Sequence, residues 1–315
     1  MNSPKDEPRV VRQFARCLNL GTIFADFKIS FNAAREIVVT INGCEEMRRV
    51  VEVTLSGDTI FIAGKLPGVE VDEYQVNVSH SNKTWIVNGV KLDEAKKLDI
   101  SISLPWTAEI ELGQYALGSM NFKNNGGSLT LRSTSMMSIQ GMSFANLKVE
   151  VGGMGSLNVG KVTGNSYIDL AGHGGFYADS LFGTLSLKIT SMGGFEAERV
   201  AVTSADVEIE GHGGVSINSL SGTLTAHMTG MGGINVDEVQ LKTAKIFMSG
   251  HGGVVFDGGT VNNLSVYDSS MGSFEHDGLA DVGSFEVHGM GGIKVNRCLK
   301  VIKNIRTGMG RIEIG

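Results

Sequence analysis

Nine side chains with chemistry of their own recur at a near-constant spacing. They are Met154, His173, Met192, His212, Met231, His251, Met271, Met290 and Met309, separated by 19, 19, 20, 19, 20, 20, 19 and 19 residues. Each sits in a small glycine cluster, as in Gly172-His173-Gly174-Gly175 or Gly230-Met231-Gly232-Gly233. Thioether sulfur and imidazole nitrogen both suit copper(I). Stacked one coil apart, at ~4.8 Å, a Met and a His are close enough to bridge one ion. On that reading His173, His212 and His251 are the imidazole ligands, although no Cys or carboxylate joins them. Two other readings compete: a ladder of side chains tucked over a bend as packing, and an exposed contact strip with adaptable methionines.

Other chemistry is thinly represented. No G-x-S-x-G nucleophile motif occurs, and His276 with Asp277, or His288, are the imaginable acid–base groups. The glycine-rich corners recur in every coil and none reads G-x-x-x-x-G-K-S/T, so no phosphate loop and no cofactor are expected. His80, His227, His276 and His288 read as solvated strand residues. Trp85 and Trp106 read as core or cap residues. Cys17, Cys44 and Cys298 are odd in number and widely spaced, which fits neither a disulfide framework nor a zinc site. They are expected to be reduced thiols packed as small hydrophobes. No catalytic residues are expected. The competing class, an enzyme acting on polysaccharides along a β-helix groove, needs acids, bases and aromatics clustered on adjacent coils. Outward acids such as Glu208, Glu210, Asp237 and Glu238 occur without an evident matching column.

The elements that position the nine centres follow from alternation. In Leu224–Val239, Leu224, Ala226, Met228, Ile234 and Val236 share one parity, and Thr225, His227, Thr229, Met231, Asn235 and Asp237 the other. Two short strands thus flank a glycine bend, with one apolar face. By that parity the Met/His centres point outward, unless the bend breaks the alternation. A 19–20-residue unit of this kind cannot bury its face alone, and stacking copies buries it continuously. The expected fold is therefore all-β: a single-chain parallel β-helix, or β-solenoid, with an irregular strand-rich N-terminal section.

Three regions are expected: a flexible leader over 1–12, an irregular β section or cap over 13–107, and a regular glycine-rich solenoid over 108–315. In the irregular section, strands are expected near Phe27–Phe31, Ile37–Ile41, Val50–Leu55, Thr59–Ala63, Tyr74–Ser79 and Thr84–Val90, with a hairpin or tight coil corner at Ser56-Gly57-Asp58. Lys91–Lys97 is the one helix-like piece. Leu98–Pro105 alternates strictly and puts Leu98, Ile100, Ile102 and Leu104 on one face.

These residues carry a family resemblance. The opening from Val10-Val11-Arg12-Gln13-Phe14 through Ile60-Phe61-Ile62, the alternating Leu98–Pro105 strand, and the glycine corners that follow resemble the head GIN domain of putative auto-transporter adhesins, over about residues 10–315. The corner here is Gly-(His/Met)-Gly-Gly where that family has Ser-Gly-Ser-Gly-Asp. The resemblance implies a bacterial β-solenoid, placement at the cell surface, and no catalytic residues.

Composition narrows the partners. Net charge is −6 and there is no basic run, so nucleic acid is not expected. No apolar stretch reaches the ~18–20 residues of a membrane span, and Met1–Val10 is polar with no signal-type segment after it. By this reading the chain stays in the cytoplasm or is released by an unconventional route, as a virion component would be. The final coil, Gly308–Gly315, stops just after its corner without a polar cap, so Arg311, Ile312, Glu313 and Ile314 read as an open edge. The expected role is a rigid, non-catalytic binding module. It would form a homo-oligomer or dock a protein partner through the strip or this edge, with a polysaccharide as the alternative ligand.

Overall fold

A computed structural model describes residues 8–69, 78–81, 84–124 and 126–315. The architecture is a β-solenoid of about 11 turns with coils of about 19 residues. Two compact units are distinguished: residues 1–145 with 152–157, and residues 146–151 with 158–315.

The second unit is the regular one. Its long strands, Gly175–Ile189, Gly194–Ile209, Val215–Met228 and Ile234–Met248, pair in parallel, each with the next. The register stacks equivalent positions: Phe176 on Phe195, Phe195 on Val215, Val215 on Ile234, Ile234 on Val254 and Val254 on Phe274. Alternation then sends one face of every strand inward. In Gly175–Ile189 the buried apolar set is Phe176, Ala178, Leu181, Leu185, Leu187 and Ile189. Burying such side chains is worth ~1.5–3 kcal/mol each, against ~1–2 kcal/mol for ordering each residue's backbone. One coil cannot stand alone on those terms, and its stability comes from the coils above and below.

Ser133 and Ser166 also take inward strand positions, and two inward positions hold titratable side chains. Asp268 continues the column Ile209, Met228, Met248, and His276 follows Phe256 and precedes Val295. Both are fully buried. His276 is therefore not the solvated strand residue expected from its type. His227 is exposed and His288 half-buried, while the side chain of His80 lies outside the described residues.

The first unit begins its ordered structure earlier than the expected leader allows. Arg9–Phe14 is a strand, antiparallel to Glu36–Asn42. Leu98–Pro105 forms as expected, with Leu98, Ile100, Ile102 and Leu104 buried; it pairs in parallel with Ile23–Asn32 and antiparallel with Glu36–Asn42. Glu52–Ser56 and Thr59–Ala63 make the expected hairpin, with Gly57 in the left-handed region at φ 58°. The helix-like segment is smaller than expected, a single 3₁₀ turn at Glu94–Lys96. A five-residue helix, Glu45–Arg49, occupies a stretch with no expected element, and so the following strand starts at Glu52 rather than Val50. Of the expected strand Tyr74–Ser79, residues 74–77 lie outside the described residues, and Val78–Ser81 is a strand. A satellite cluster of Phe24, Leu66, Trp85, Val87, Leu92 and Leu117 packs inside this unit, which makes Trp85 a core residue as expected.

Candidate functional site: an exposed methionine and histidine ridge

In the second unit the centres from His173 to Met309 fall on successive coils in register, because the strand segments flanking this corner stay aligned and the shifts in pairing fall elsewhere, as between Gly183 and Thr184 or Gly222 and Thr223. Backbone bonds carry that register through the bend. The amide of His212 donates to the Ser191 carbonyl, Met231 to Gly211, His251 to Gly230, Met271 to Gly250 and Met290 to Ser270, at 2.9–3.1 Å. The side chains point out. Met231 is 59% exposed and Met309 78%, with Met192, Met271 and Met290 between 52% and 59%; His173, His212 and His251 are also exposed. The alternation thus runs straight through the glycines. Met154 lies in the first unit and is likewise exposed.

The glycines beside the ridge do two different jobs. The one immediately after each centre lies against the backbone of the previous coil. A Cβ on Gly213 would fall 1.9 Å from the Gly193 carbonyl oxygen, and one on Gly252 1.7 Å from that of Gly232. No side chain fits there. The next glycine is more open: a Cβ on Gly194 meets nothing within 4 Å, and on Gly175 or Gly214 nothing nearer than 3.7 Å, whereas on Gly233 and Gly253 it would meet a carbonyl oxygen at 3.3 and 3.1 Å. From Gly175 to Gly253, and again at Gly292, these positions hold no side chain, which leaves a bare floor beside the ridge that Ser273 and Arg311 interrupt. Exposed Thr229, Ser249 and Ser269 border the ridge on its other side, so an apolar crest runs between a glycine floor and a polar rim.

The same register places His173, His212 and His251 on alternating coils, with Met192 and Met231 between them. Imidazoles two coils apart are separated by ~9.6 Å, so the three cannot share one ion. Among the described residues no group of three or more His, Cys, Asp or Glu side chains could hold a metal. The three cysteines are free and half-buried.

An outward column that the sequence reading did not detect lies next to the rim. Glu208, His227, Phe247, Tyr267 and Glu286 stack on five successive coils. The His227 and Phe247 rings lie face to face, 4.7 Å apart and 8° from parallel. Their faces cover one another, so the column stabilises the stack and offers mainly ring edges to a ligand. The 20-residue step from Phe247 to Tyr267 was the available signal. The outward acids Glu208 and Glu210 both bind Lys188 of the preceding coil, at 3.0 and 3.1 Å, and raise the pKa of that ammonium group. Glu198 accepts from the Tyr177 hydroxyl at 2.9 Å, which pushes the phenol up to about 12.

Buried Asp268 and His276 carry orphan atoms. Asp268 Oδ1 accepts from the Ser270 amide at 2.8 Å and from its hydroxyl at 2.5 Å. Oδ2 has no partner among the described residues. Burial raises this carboxyl, with the Ser270 bonds acting against it. His276 Nδ1 faces the Gly278 amide at 3.4 Å, and Nε2 makes no hydrogen bond of normal geometry. Burial lowers this imidazole, and backbone groups of Leu279 and Phe256 oppose it only in part.

The family model for the putative auto-transporter adhesin, head GIN domain, matches residues 22–236. The chain belongs to that family. Solved structures similar to this head GIN chain are of low identity. A putative adhesin from Bacteroides fragilis is 14% identical, with 99% of each chain covered and a TM-score of 0.39. A putative adhesin from Parabacteroides distasonis is 12% identical, with 98% of each chain covered and a TM-score of 0.41. A putative lipid binding protein from the same organism is 14% identical, covering 99% of this chain and 98% of its own, with a TM-score of 0.26. No curated protein matches the chain. Among the described residues of this head GIN protein, no helix is long and apolar enough to cross a membrane.

Proposed function

We propose that the protein is a rigid, non-catalytic adhesive module that presses its Met/His ridge against the same ridge of a second copy. The observation that carries this reading is the ridge itself: five methionines of one unit, each more than half exposed, in register beside a floor that is mostly glycine. Exposed apolar side chains repeated along one row, here interleaved with imidazoles, favour contact, and methionine adapts to an opposing surface at little cost. A second copy presents a crest with the same ~4.8 Å repeat. The crest carries no carboxylate, so two copies of a chain with net charge −6 meet there without direct repulsion. The family's adhesin designation supports action at a cell surface.

Size sets the strength. From His173 to Met309 the ridge makes seven steps, or ~34 Å. With its floor it covers roughly 300–400 Å² per copy, at most about half of the ~800 Å² per partner in a standard interface. One ridge pair is therefore weak, and useful adhesion comes from many pairs acting together. A non-catalytic role fits the outward acids, since Glu208 and Glu210 are held by Lys188 rather than facing an open groove. The test is concentration-dependent sedimentation of the wild type against Met192→Lys/Met231→Lys/Met271→Lys. The reading requires association that the triple variant loses. A parallel Ile302→Lys variant separates the ridge from the apolar residues Leu299 and Ile302 exposed on the last long strand, near the edge formed by Arg311–Ile314. Loss of association in that variant alone would move the contact to the edge.

A further inference from the structure

Four turns of the first unit converge on one concavity of about 520 Å³. Phe14 and Arg16 come from the junction between the strands Arg9–Phe14 and Cys17–Leu20. Arg35 comes from the turn after Ile23–Asn32, Asp58 from the Glu52–Ser56/Thr59–Ala63 hairpin, and Pro105 with Trp106 from the end of Leu98–Pro105. This size lies within the ~300–1,000 Å³ of small-ligand sites.

The lining combines two chemistries. Phe14 is 70% exposed and Trp106 46%, a large amount of ring surface to leave in water. Trp106 is also held in place. Its ring lies 8° from parallel with buried Phe31, centroids 6.2 Å apart, and a Cβ on Gly126 would come within 3.1 Å of it. A fixed, half-exposed indole is a preorganised apolar platform. Against it stand two guanidinium groups. Asp58 Oδ2 accepts from Arg16 Nε at 3.1 Å, which orients the Arg16 fork while leaving its side chain largely in solvent. Arg35, at the tip of its turn, has no hydrogen-bond or ion-pair partner among the described residues. One Asp against two Arg leaves the cleft positive in a chain of net charge −6.

We propose that this cleft binds a carboxylate-bearing sugar ring, such as a hexuronate or a sialic acid at the end of a glycan. The apolar face of a pyranose suits the Trp106 and Phe14 rings, and a carboxylate suits the planar Arg fork. A neutral sugar leaves the guanidinium groups unused, and an acidic peptide without a ring leaves the aromatics unused. The site is separate from the ridge and does not depend on the ridge's role.

The experiment uses the full chain and four probes: tri-galacturonate, 3′-sialyllactose, lactose and tri-glutamate. Binding is read by calorimetry and by acrylamide quenching of tryptophan fluorescence. The chain has two tryptophans, and Trp85 is buried, so a ligand that shields indole from acrylamide reports on Trp106. The proposal requires that at least one carboxylated sugar bind and shield the indole. It also requires that Arg35→Gln weaken that sugar roughly tenfold or more, as loss of a charge-assisted contact does. Binding of one acid sugar and not the other identifies the source of the carboxylate. Trp106→Ala should abolish binding; if that variant misfolds, the Arg35 comparison decides. Lactose or tri-glutamate binding as tightly as the acid sugars would overturn the proposal. So would an unchanged affinity in Arg35→Gln, or no binding of either acid sugar up to about 10 mM, beyond the weak end of specific recognition.

Discussion

The α-carbon of Gly252 lies so close to the carbonyl of Gly232 that a methyl group there would sit 1.7 Å from the oxygen. Coil spacing at the corner is set by backbone touching backbone, and a side chain at this position forces two coils apart. Gly252→Ala is expected to destabilise the protein by about 2–4 kcal/mol, the upper range for single substitutions. Gly194→Ala, with nothing within 4 Å, is expected to be neutral or to stabilise by ~0.5–1 kcal/mol through the unfolded chain. Denaturant midpoints of the two variants measure the contrast, and equal losses would refute the division between packed and open glycines.

His276 makes stability fall with acid. Its folded pKa lies below the ordinary imidazole value of ~6.5 because burial disfavours the cation. As pH drops through ~6.5 the unfolded chain takes up a proton that the folded chain refuses, so this contribution is present above that pH and is lost below it. His276→Phe keeps an aromatic ring in the column of Phe256 and Val295 and removes the proton uptake. The drop in Tm between about pH 7.5 and about pH 5 should shrink in that variant relative to wild type. An unchanged drop would mean that His276 ionises freely in the folded state.

Asp268 works in the opposite sense. Its carboxyl is raised by burial, so the folded state binds the proton more readily and the cost of the buried anion is relieved as pH falls toward its folded value. Asp268→Asn keeps an Oδ1 acceptor for the Ser270 amide and hydroxyl and removes the charge. It is expected to stabilise the protein by about 1 kcal/mol at neutral pH, with a smaller gain in acid. Denaturation at two pH values checks both parts. Destabilisation at neutral pH would show that Oδ2 has a partner requiring a full charge.

The parts legible in the sequence were those that repeat. Spacings of 19–20 residues place Met231 over His212, and parity alone favours the outward direction that these side chains take. What could not be read were features that depend on which turns meet. Phe14, Arg35, Asp58 and Trp106 lie tens of residues apart and share no pattern, so Trp106 reads as a core or cap residue until the fold places it in a cleft. Between these cases is His276. It stands 20 residues after Phe256 and 19 before Val295, so the repeat itself marked an inward position, and residue type alone misled. The Glu45–Arg49 helix is five residues long with no side-chain cap, and only its acidic start and basic end hinted at it.

The ridge is tested most directly by sedimentation equilibrium of the full chain across a concentration series. The wild type should associate reversibly with a midpoint in the range of about 10–500 µM, as a contact well under standard interface size allows. Met192→Lys/Met231→Lys/Met271→Lys should remain monomeric over the same range with an unchanged thermal midpoint. A wild type that stays monomeric throughout, or a triple variant that associates as well as the wild type, would contradict the account.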